Sequence, residues 1–153
     1  MRAVLQRVTR AEVRVDGVVV GAIAEGLCVL LAVREGDGPA EAAWMADRVR
    51  GLRIFEDTAG KMNLALADRP NAAALVVSQF TLYGDASKGR RPSFNRSARP
   101  EVAEPLYRAV CEALQASGVQ VERGVFGASM EVALVNSGPV TLILDSPVAG
   151  AAV

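Results

Sequence analysis

The sequence predicts a single α/β domain: two β-sheets stacked on one another, with two helices on one outer side. Three observations lead there. The segments read in the order strands, helix, strands, helix, strands over 153 residues, a length that one domain with a real core accommodates. Apolar residues make up 51% of the chain, which excludes the composition of a disordered segment. Two helices cannot cover both faces of so many strands, so sheet must pack on sheet with the helices outside. No repeat or linker divides the chain. The domain is therefore expected over 1–145, and the small, apolar, patternless tail 146–153 is expected to be frayed.

The elements follow in order. Val13 and Val15 alternate with Glu12 and Arg14, and Asp16-Gly17 separates them from Val18-Val19-Val20, so residues 2–23 read as strands joined by a hairpin. Leu27 to Val33 is a continuous apolar run, read as a buried strand. The turn Glu35-Gly36-Asp37-Gly38-Pro39 leads to a helix in which Asp37 can cap, Pro39 suits the first turn, and Ala42, Met45, Val49 and Leu52 recur at helical spacing. Arg53 to Glu56 returns as a short strand, Asp57 to Gly60 turns, and Met62-Asn63-Leu64 fits either state. After Arg69-Pro70-Asn71 a strand is predicted from Ala74 to Leu82. Pro100 opens the second helix, with Ala103, Leu106, Tyr107, Val110 and Leu114 on one face, Pro105 tolerated near the first turn, and Gly118 past the end. Val119 to Glu122, Met130 to Val135 and Val140 to Asp145 complete the strands.

Composition narrows the chemistry. The chain has no histidine, which removes Ser-His-Asp and Cys-His catalysis along with the commonest general base and metal ligand. Cys28 and Cys111 each sit in an apolar stretch and read as buried thiols; neither a Cys-x-x-Cys pair nor a ligand cluster points to a metal. No apolar run is long enough to span a bilayer, and the start of the chain has no signal-peptide pattern, so the cytosol is the expected compartment. Seventeen basic and 17 acidic residues balance, which argues against non-specific nucleic-acid binding. A local patch remains: Lys88, Arg90, Arg91, Arg96 and Arg99 lie within twelve residues with no acid among them, all but Arg99 in the aperiodic stretch Tyr83 to Ala98. That stretch reads either as a solvated loop or as a functional one.

Two polar interruptions of apolar runs stand out. Asn136-Ser137-Gly138-Pro139-Val140-Thr141 places a Gly-Pro turn signal between two strand-like segments and offers only main-chain carbonyls and shape. Alone it would be a plain β-turn. Ser78-Gln79-Phe80-Thr81-Leu82 ends the buried strand with two hydroxyls and an amide, more than packing requires. Three readings of Thr81 compete: a nucleophile, which lacks a histidine to activate it; a group that positions an ester or a water; or a hydroxyl satisfying the backbone at a strand end.

Together, Ser-Gln-Phe-Thr-Leu and Asn-x-Gly-Pro-Val-Thr resemble the two signature motifs of the D-aminoacyl-tRNA deacylases. The resemblance extends over nearly the whole chain, through the opening Met1 to Ala11, Leu52 to Asp57, Gly60 to Leu64, Lys88 to Phe94 and Phe126 to Met130. It implies the three-layer α/β/β fold, which agrees with the layering read from the elements. It further implies a homodimeric hydrolase acting on the 3′ end of aminoacyl-tRNA, with no cofactor and no metal.

Site roles follow from the resemblance residue by residue. Main-chain amides around Phe80 and Thr81 would serve as oxyanion donors, with Ser78 and Gln79 orienting the substrate and its 2′-hydroxyl helping to activate water. Phe126 and Met130 match positions that hold the terminal adenine; in isolation they read as core residues. Gly138-Pro139 would be a cis pair entering the partner subunit's site, set within the Asn136 motif and braced by Arg7, which otherwise reads as a surface ion pair. Lys88, Arg90 and Arg91 would meet the tRNA backbone. Ser137 stands where many members of the family carry an acid, and Gly84 where Ala is frequent; neither change removes a main-chain donor. The resemblance implies clearance of D-amino acids and of glycine mischarged on tRNA(Ala). Two other readings remain open: an editing domain of the kind attached to some archaeal threonyl-tRNA synthetases, and a catalytically silent RNA-end binder.

Overall fold

One long strand ties the layers together. The structure, a computed structural model, describes residues 1–147. Strand β1 (Arg2–Val15) follows the hairpin turn Asp16-Gly17 into β2 (Val18–Ile23), both turn residues having positive φ as a type I′ turn demands. β3 (Gly26–Ala32), α1 (Pro39–Gly51), β4 (Phe55–Glu56), β5 (Met62–Leu64), β6 (Ala73–Ser78), α2 (Pro100–Ala116), β7 (Gln120–Arg123) and β8 (Glu131–Asp145) complete the chain. One edge of β1 pairs antiparallel with β8 from Arg2↔Asp145 to Arg14↔Glu131. Its other edge pairs first with β3, from Arg2↔Ala32 to Val8↔Gly26, and then with β2, from Ala11↔Ile23 to Val15↔Val18. β1 therefore runs out of one layer and into the next. β6 and β7 extend the β3 side as parallel neighbours, and β4 and β5 form a separate hairpin.

Period-2 alternation gives this sheet two cores. Ala3 and Leu5 of β1, Leu27, Val29 and Leu31 of β3, and Ala74 and Val76 of β6 face Met45 and Val49 of α1 and Leu106, Val110 and Leu114 of α2. The alternate residues Cys28, Ala73, Leu75 and Val77 face Val8, Ala11, Val13 and Ile23, with Val132 and Leu134 of β8 packed alongside. The order is helices, sheet, sheet, as the sequence predicts. At about 1.5–3 kcal/mol for each buried Val or Leu, burial in these two layers is what stabilises the arrangement.

Local expectations are corrected at several points. Asp37 does not cap α1: Gly38 is the N-cap, its amide bonded to Glu41 Oε2 at 2.8 Å. The buried Asp37 carboxylate instead meets the Met1 amine at 2.7 Å and the Arg34 amide at 2.6 Å. The strand predicted from Ala74 to Leu82 stops at Ser78, and Phe80–Tyr83 winds into a 3-10 turn. A strand crossing into that turn satisfies fewer ladder partners, and only Gln79 N, bonded to Leu31 O at 2.8 Å, continues the pairing.

The Gly-Pro stretch does not reverse the chain. Both of its flanks pair with β1 in one direction, so β8 is continuous, and Arg7 alone stands opposite Ser137 to Val140 between the pairs Gln6↔Thr141 and Val8↔Asn136. The extra residues bulge outward, where Pro139, which cannot donate to a ladder, is tolerated. The tail expected to be frayed begins in order: Ser146 is buried, its amide donates to Met1 O at 2.8 Å, and its hydroxyl accepts from the Met1 amine. Residues 148–153 lie outside the described residues.

Candidate active site

β3, β6 and β7 run parallel, and their carboxyl ends open together. A pocket of about 480 Å³ lies there, walled by Leu31 to Val33 at the end of β3, Val77 to Phe80 at the end of β6, and Phe126, Gly127, Ala128 and Met130 between β7 and β8. The first turns of α2 close it with Pro100, Ala103 and Tyr107. Ser78, Gln79, Phe80, Phe126 and Met130, separated by up to about 50 positions in the chain, thus share one cavity. Phe126 and Met130 are half-buried, so they are wall residues with an accessible side; the Phe126 ring tilts against Tyr107 at 5.9 Å between centroids. Gly124 leaves room for Met130: a Cβ there would sit 2.6 Å from the thioether sulfur.

The walls carry one ionisable side chain, Tyr107, and its hydroxyl is committed to Val76 O at 2.8 Å. Burial pushes that phenol far above its ordinary pKa, so it stays neutral. Among the described residues no carboxylate, lysine or arginine lines the cavity. Thr81 is exposed beside it, and its hydroxyl accepts from the Gln79 side-chain amide. A donor rather than a base faces this oxygen, and among the described residues no carboxylate or amine bonds to it.

Main-chain groups are what the site has to offer. Neither the Phe80 nor the Thr81 N–H donates to another group of the chain among the described residues. Both stand at the start of the 3-10 turn, where the first amides have no partner within the turn. Two adjacent free amides beside a pocket with no acid or base can bind a developing oxyanion.

Arg7 is buried and hydrogen-bonds to the Gly-Pro bulge. Its Nε donates to Ser137 O at 3.3 Å, its Nη1 to Ile54 O at 2.7 Å, and its Nη2 lies 3.4 Å from Glu56 Oε1. Asn136 clips the base of the bulge, its side-chain amide donating to Arg7 O and Val140 O, both at 3.0 Å. The Gly138-Pro139 bond is cis, and Gly138 has φ +116°. Both residues are exposed, and neither forms a wall of the chain's own pocket.

Lys88, Arg90 and Arg91 lie on an exposed loop closed by the bridge Asp85↔Ser93 and line no part of the pocket. None of the three ion-pairs with a carboxylate among the described residues. Arg96, from the same basic stretch, instead covers the buried Tyr83 ring at 5.8 Å. Among the described residues there is no group of three His, Cys, Asp or Glu side chains placed to hold a metal, and no helix long and apolar enough to cross a membrane.

Sequence reasoning missed Tyr107 and Ser97. Tyr107 has the spacing of a core residue, which it also is, and nothing in the pattern shows that one ring face reaches the cavity. Ser97 donates from Oγ to Phe80 O at 2.9 Å across the loop, a contact that no local pattern announces.

Comparison with known proteins agrees with this geometry. The family described as D-Tyr-tRNA(Tyr) deacylase matches residues 4–145. A D-aminoacyl-tRNA deacylase of Anaeromyxobacter dehalogenans (strain 2CP-C) is 61% identical over 146 residues, covering 95% of this chain and 97% of that one. The solved structure of a c-Myc DNA Unwinding Element Binding Protein superposes with a TM-score of 0.90 at 41% identity, over 96% of this chain and 99% of that one. A probable eukaryotic D-amino acid tRNA deacylase superposes at 0.82 over 94% and 97%; at 20% identity it supports the fold alone. The match takes in both helices and nearly all of the sheet, and the chain belongs to the D-Tyr-tRNA(Tyr) deacylase family.

Proposed function

We propose that this chain is an aminoacyl-tRNA ester hydrolase that frees tRNA of D-amino acids. The observation that carries the reading is the pocket itself: free amides at Phe80 and Thr81 beside walls with no available acid or base. Such a site suits a substrate that is already activated. In an aminoacyl-tRNA the ester carbonyl lies next to a ribose 2′-hydroxyl, and that hydroxyl takes the role of helping a water attack. Water adds to the carbonyl carbon, the two amides hold the oxygen as it gains charge, and the ester bond to the ribose breaks with a proton passing to the departing oxygen. Free amino acid and tRNA result. The terminal adenine stacks on Phe126 and Met130, a flat ring and a pliable thioether. Ser78 and Gln79 orient the ester. Lys88, Arg90 and Arg91 contact the RNA backbone, and the work is done in the cytoplasm.

Selection belongs to the Gly138-Pro139 turn of a second copy. In support, the turn is exposed and absent from its own chain's pocket, and among the described residues nothing pairs with the outer edge of β8. An unpaired edge of this length is a ready surface for a symmetric partner. With the Gly138 and Pro139 carbonyls toward the α-carbon, a D-residue presents hydrogen and an L-residue presents its side chain. Close packing makes the second overlap hard to relieve. Glycine has hydrogen in both directions, so the same site accepts it, including glycine mischarged on tRNA(Ala).

Single-turnover deacylation of D-alanyl, glycyl and L-alanyl esters on one tRNA body tests the reading. Hydrolysis of the first two with the third spared is expected. L-Ala cleaved about as fast as D-Ala overturns the carbonyl filter, cleavage of L-esters alone favours the editing-domain alternative, and no cleavage leaves an RNA-end binder.

A further inference from the structure

We propose that Ser97, at the end of the basic loop, is a positioning residue for the reaction and acts through the Phe80 carbonyl. This rests on the reading that the Phe80 and Thr81 amides receive the ester oxygen. The C=O of Phe80 and the N–H of Thr81 belong to one peptide group, so whatever holds the oxygen also aims the hydrogen. Ser97 Oγ donates to that oxygen at 2.9 Å.

Ser97 is itself firmly placed. Its amide donates to Phe94 O at 3.0 Å, Ala98 N donates to Val33 O at 3.0 Å, and Glu35 N donates to Arg96 O at 3.0 Å. The bridge Arg34↔Ser97 ties the same point to the exit of β3. A second contact runs in parallel: the Phe94 ring meets the Phe80 ring edge-on, 5.2 Å between centroids at 69°. The 3-10 turn that offers the free amides is thus gripped from the loop side at its backbone and at its aromatic side chain.

Two consequences follow from the hydrogen bond. It fixes the plane of a peptide that would otherwise tilt with its exposed neighbours, Phe80 and Thr81 both being solvent-accessible. It also draws electron density toward the carbonyl oxygen, which makes the N–H at the other end of the same peptide a stronger donor. Both effects grow in value as the ester oxygen gains charge, so they count for more in the transition state than in the bound ester. Ser97 is therefore expected to act on turnover more than on binding.

The test compares the full-length wild type, Ser97→Ala and Ser97→Thr. In single-turnover hydrolysis of D-Ala-tRNA, Ser97→Ala is expected to lose about 5- to 10-fold in rate, the worth of one such bond, with an unchanged concentration dependence. Ser97→Thr, which keeps the hydroxyl, is expected to recover most of the rate. A nitrogen-15 spectrum of the free protein supplies a readout that a merely structural role would not move: the Thr81 amide proton shifts upfield in Ser97→Ala and returns in Ser97→Thr. A Ser97→Ala rate within twofold of wild type overturns the proposal, as does a loss confined to KM, or one accompanied by unfolding that Thr does not rescue. If the wild type itself leaves D-Ala-tRNA intact, the underlying reading fails. If the wild type hydrolyses it and Ser97→Ala is silent, only the role of Ser97 falls.

Discussion

Replacing Gly138 by alanine strikes the proposed selecting turn at the point where it is least able to yield. Gly138 has φ +116°, a region that residues with a Cβ rarely enter. An added Cβ would lie 2.8 Å from Arg7 Nη2 and 2.8 Å from Val140 Cγ2, closer than side-chain carbons approach such atoms. Holding alanine in that backbone region costs about 1–3 kcal/mol. Relieving the overlap means moving the Arg7 head, whose bond to Ser137 O is the weaker of its two carbonyl contacts; losing it costs about 1.5–3 kcal/mol. Partial relaxation lowers the sum, leaving about 2–4 kcal/mol, or about 5–15 °C in melting temperature for a domain of this size. Differential scanning calorimetry measures that loss, and the three-ester single-turnover assay measures its consequence. Gly138→Ala is expected to cleave D-Ala more slowly and to let L-Ala through more often, because the carbonyls no longer hold their direction. A melting temperature within about 2 °C of wild type, with an unchanged ratio of D-Ala to L-Ala rates, would refute the account of a braced and selective turn.

Three further outcomes are expected. Thr81→Ala keeps much of its activity, whereas a 2′-deoxy terminal adenosine carrying a 3′-linked D-ester reacts poorly; an acyl-Thr81 adduct trapped and seen by mass spectrometry would reverse that order. Neutralising Arg90 and Arg91 together weakens tRNA binding and flattens its salt dependence by about 1–2 units of slope without changing chirality preference, because phosphate contacts release counterions; filter binding across a salt series that gives the wild-type slope would return the loop to mere solvation. Burial pushes the Cys28 and Cys111 thiols up to about 11. The unfolded chain therefore releases those protons first as pH rises, and urea midpoints in reducing buffer should fall from about pH 9 toward pH 11. A flat profile there would contradict the burial of both thiols.

Much of this fold was legible because its signals are local. Asp16-Gly17 announced its own hairpin, and Ala42, Met45 and Val49 announced the buried face of α1. The continuous apolar run Leu27 to Val33 announced a buried strand, and the structure buries it on both faces, Leu27, Val29 and Leu31 in one core and Cys28 in the other. What sequence could not carry was competition between partners. Asp37 has the chemistry of a cap, yet a buried amine 36 positions away claimed it. Ser137 to Val140 has the chemistry of a turn, yet pairing of both flanks with β1 kept the strand continuous and forced the insertion outward. The strand predicted through Leu82 ended at Ser78 because Ala98, and not Phe80 or beyond, takes the next carbonyl along that edge, at Val33, while Phe80–Tyr83 closes its own 3-10 turn.

The same competition explains where the chemistry of this site resides. On the proposed reading, a pocket whose one ionisable wall residue among the described residues is already hydrogen-bonded draws its rate from peptide groups held still. Peptide groups are aimed by what grips their neighbours: Leu31 O on the Gln79 amide, Ser97 on the Phe80 carbonyl, Arg7 on the Ser137 carbonyl, Asn136 on the Val140 and Arg7 carbonyls. Mutational sensitivity should follow the grip. Removing the Thr81 hydroxyl leaves every one of those peptides in place, whereas removing the Ser97 hydroxyl or crowding Gly138 moves one of them. An enzyme built this way tolerates loss of the side chain nearest the substrate better than loss of a hydrogen bond one layer behind it.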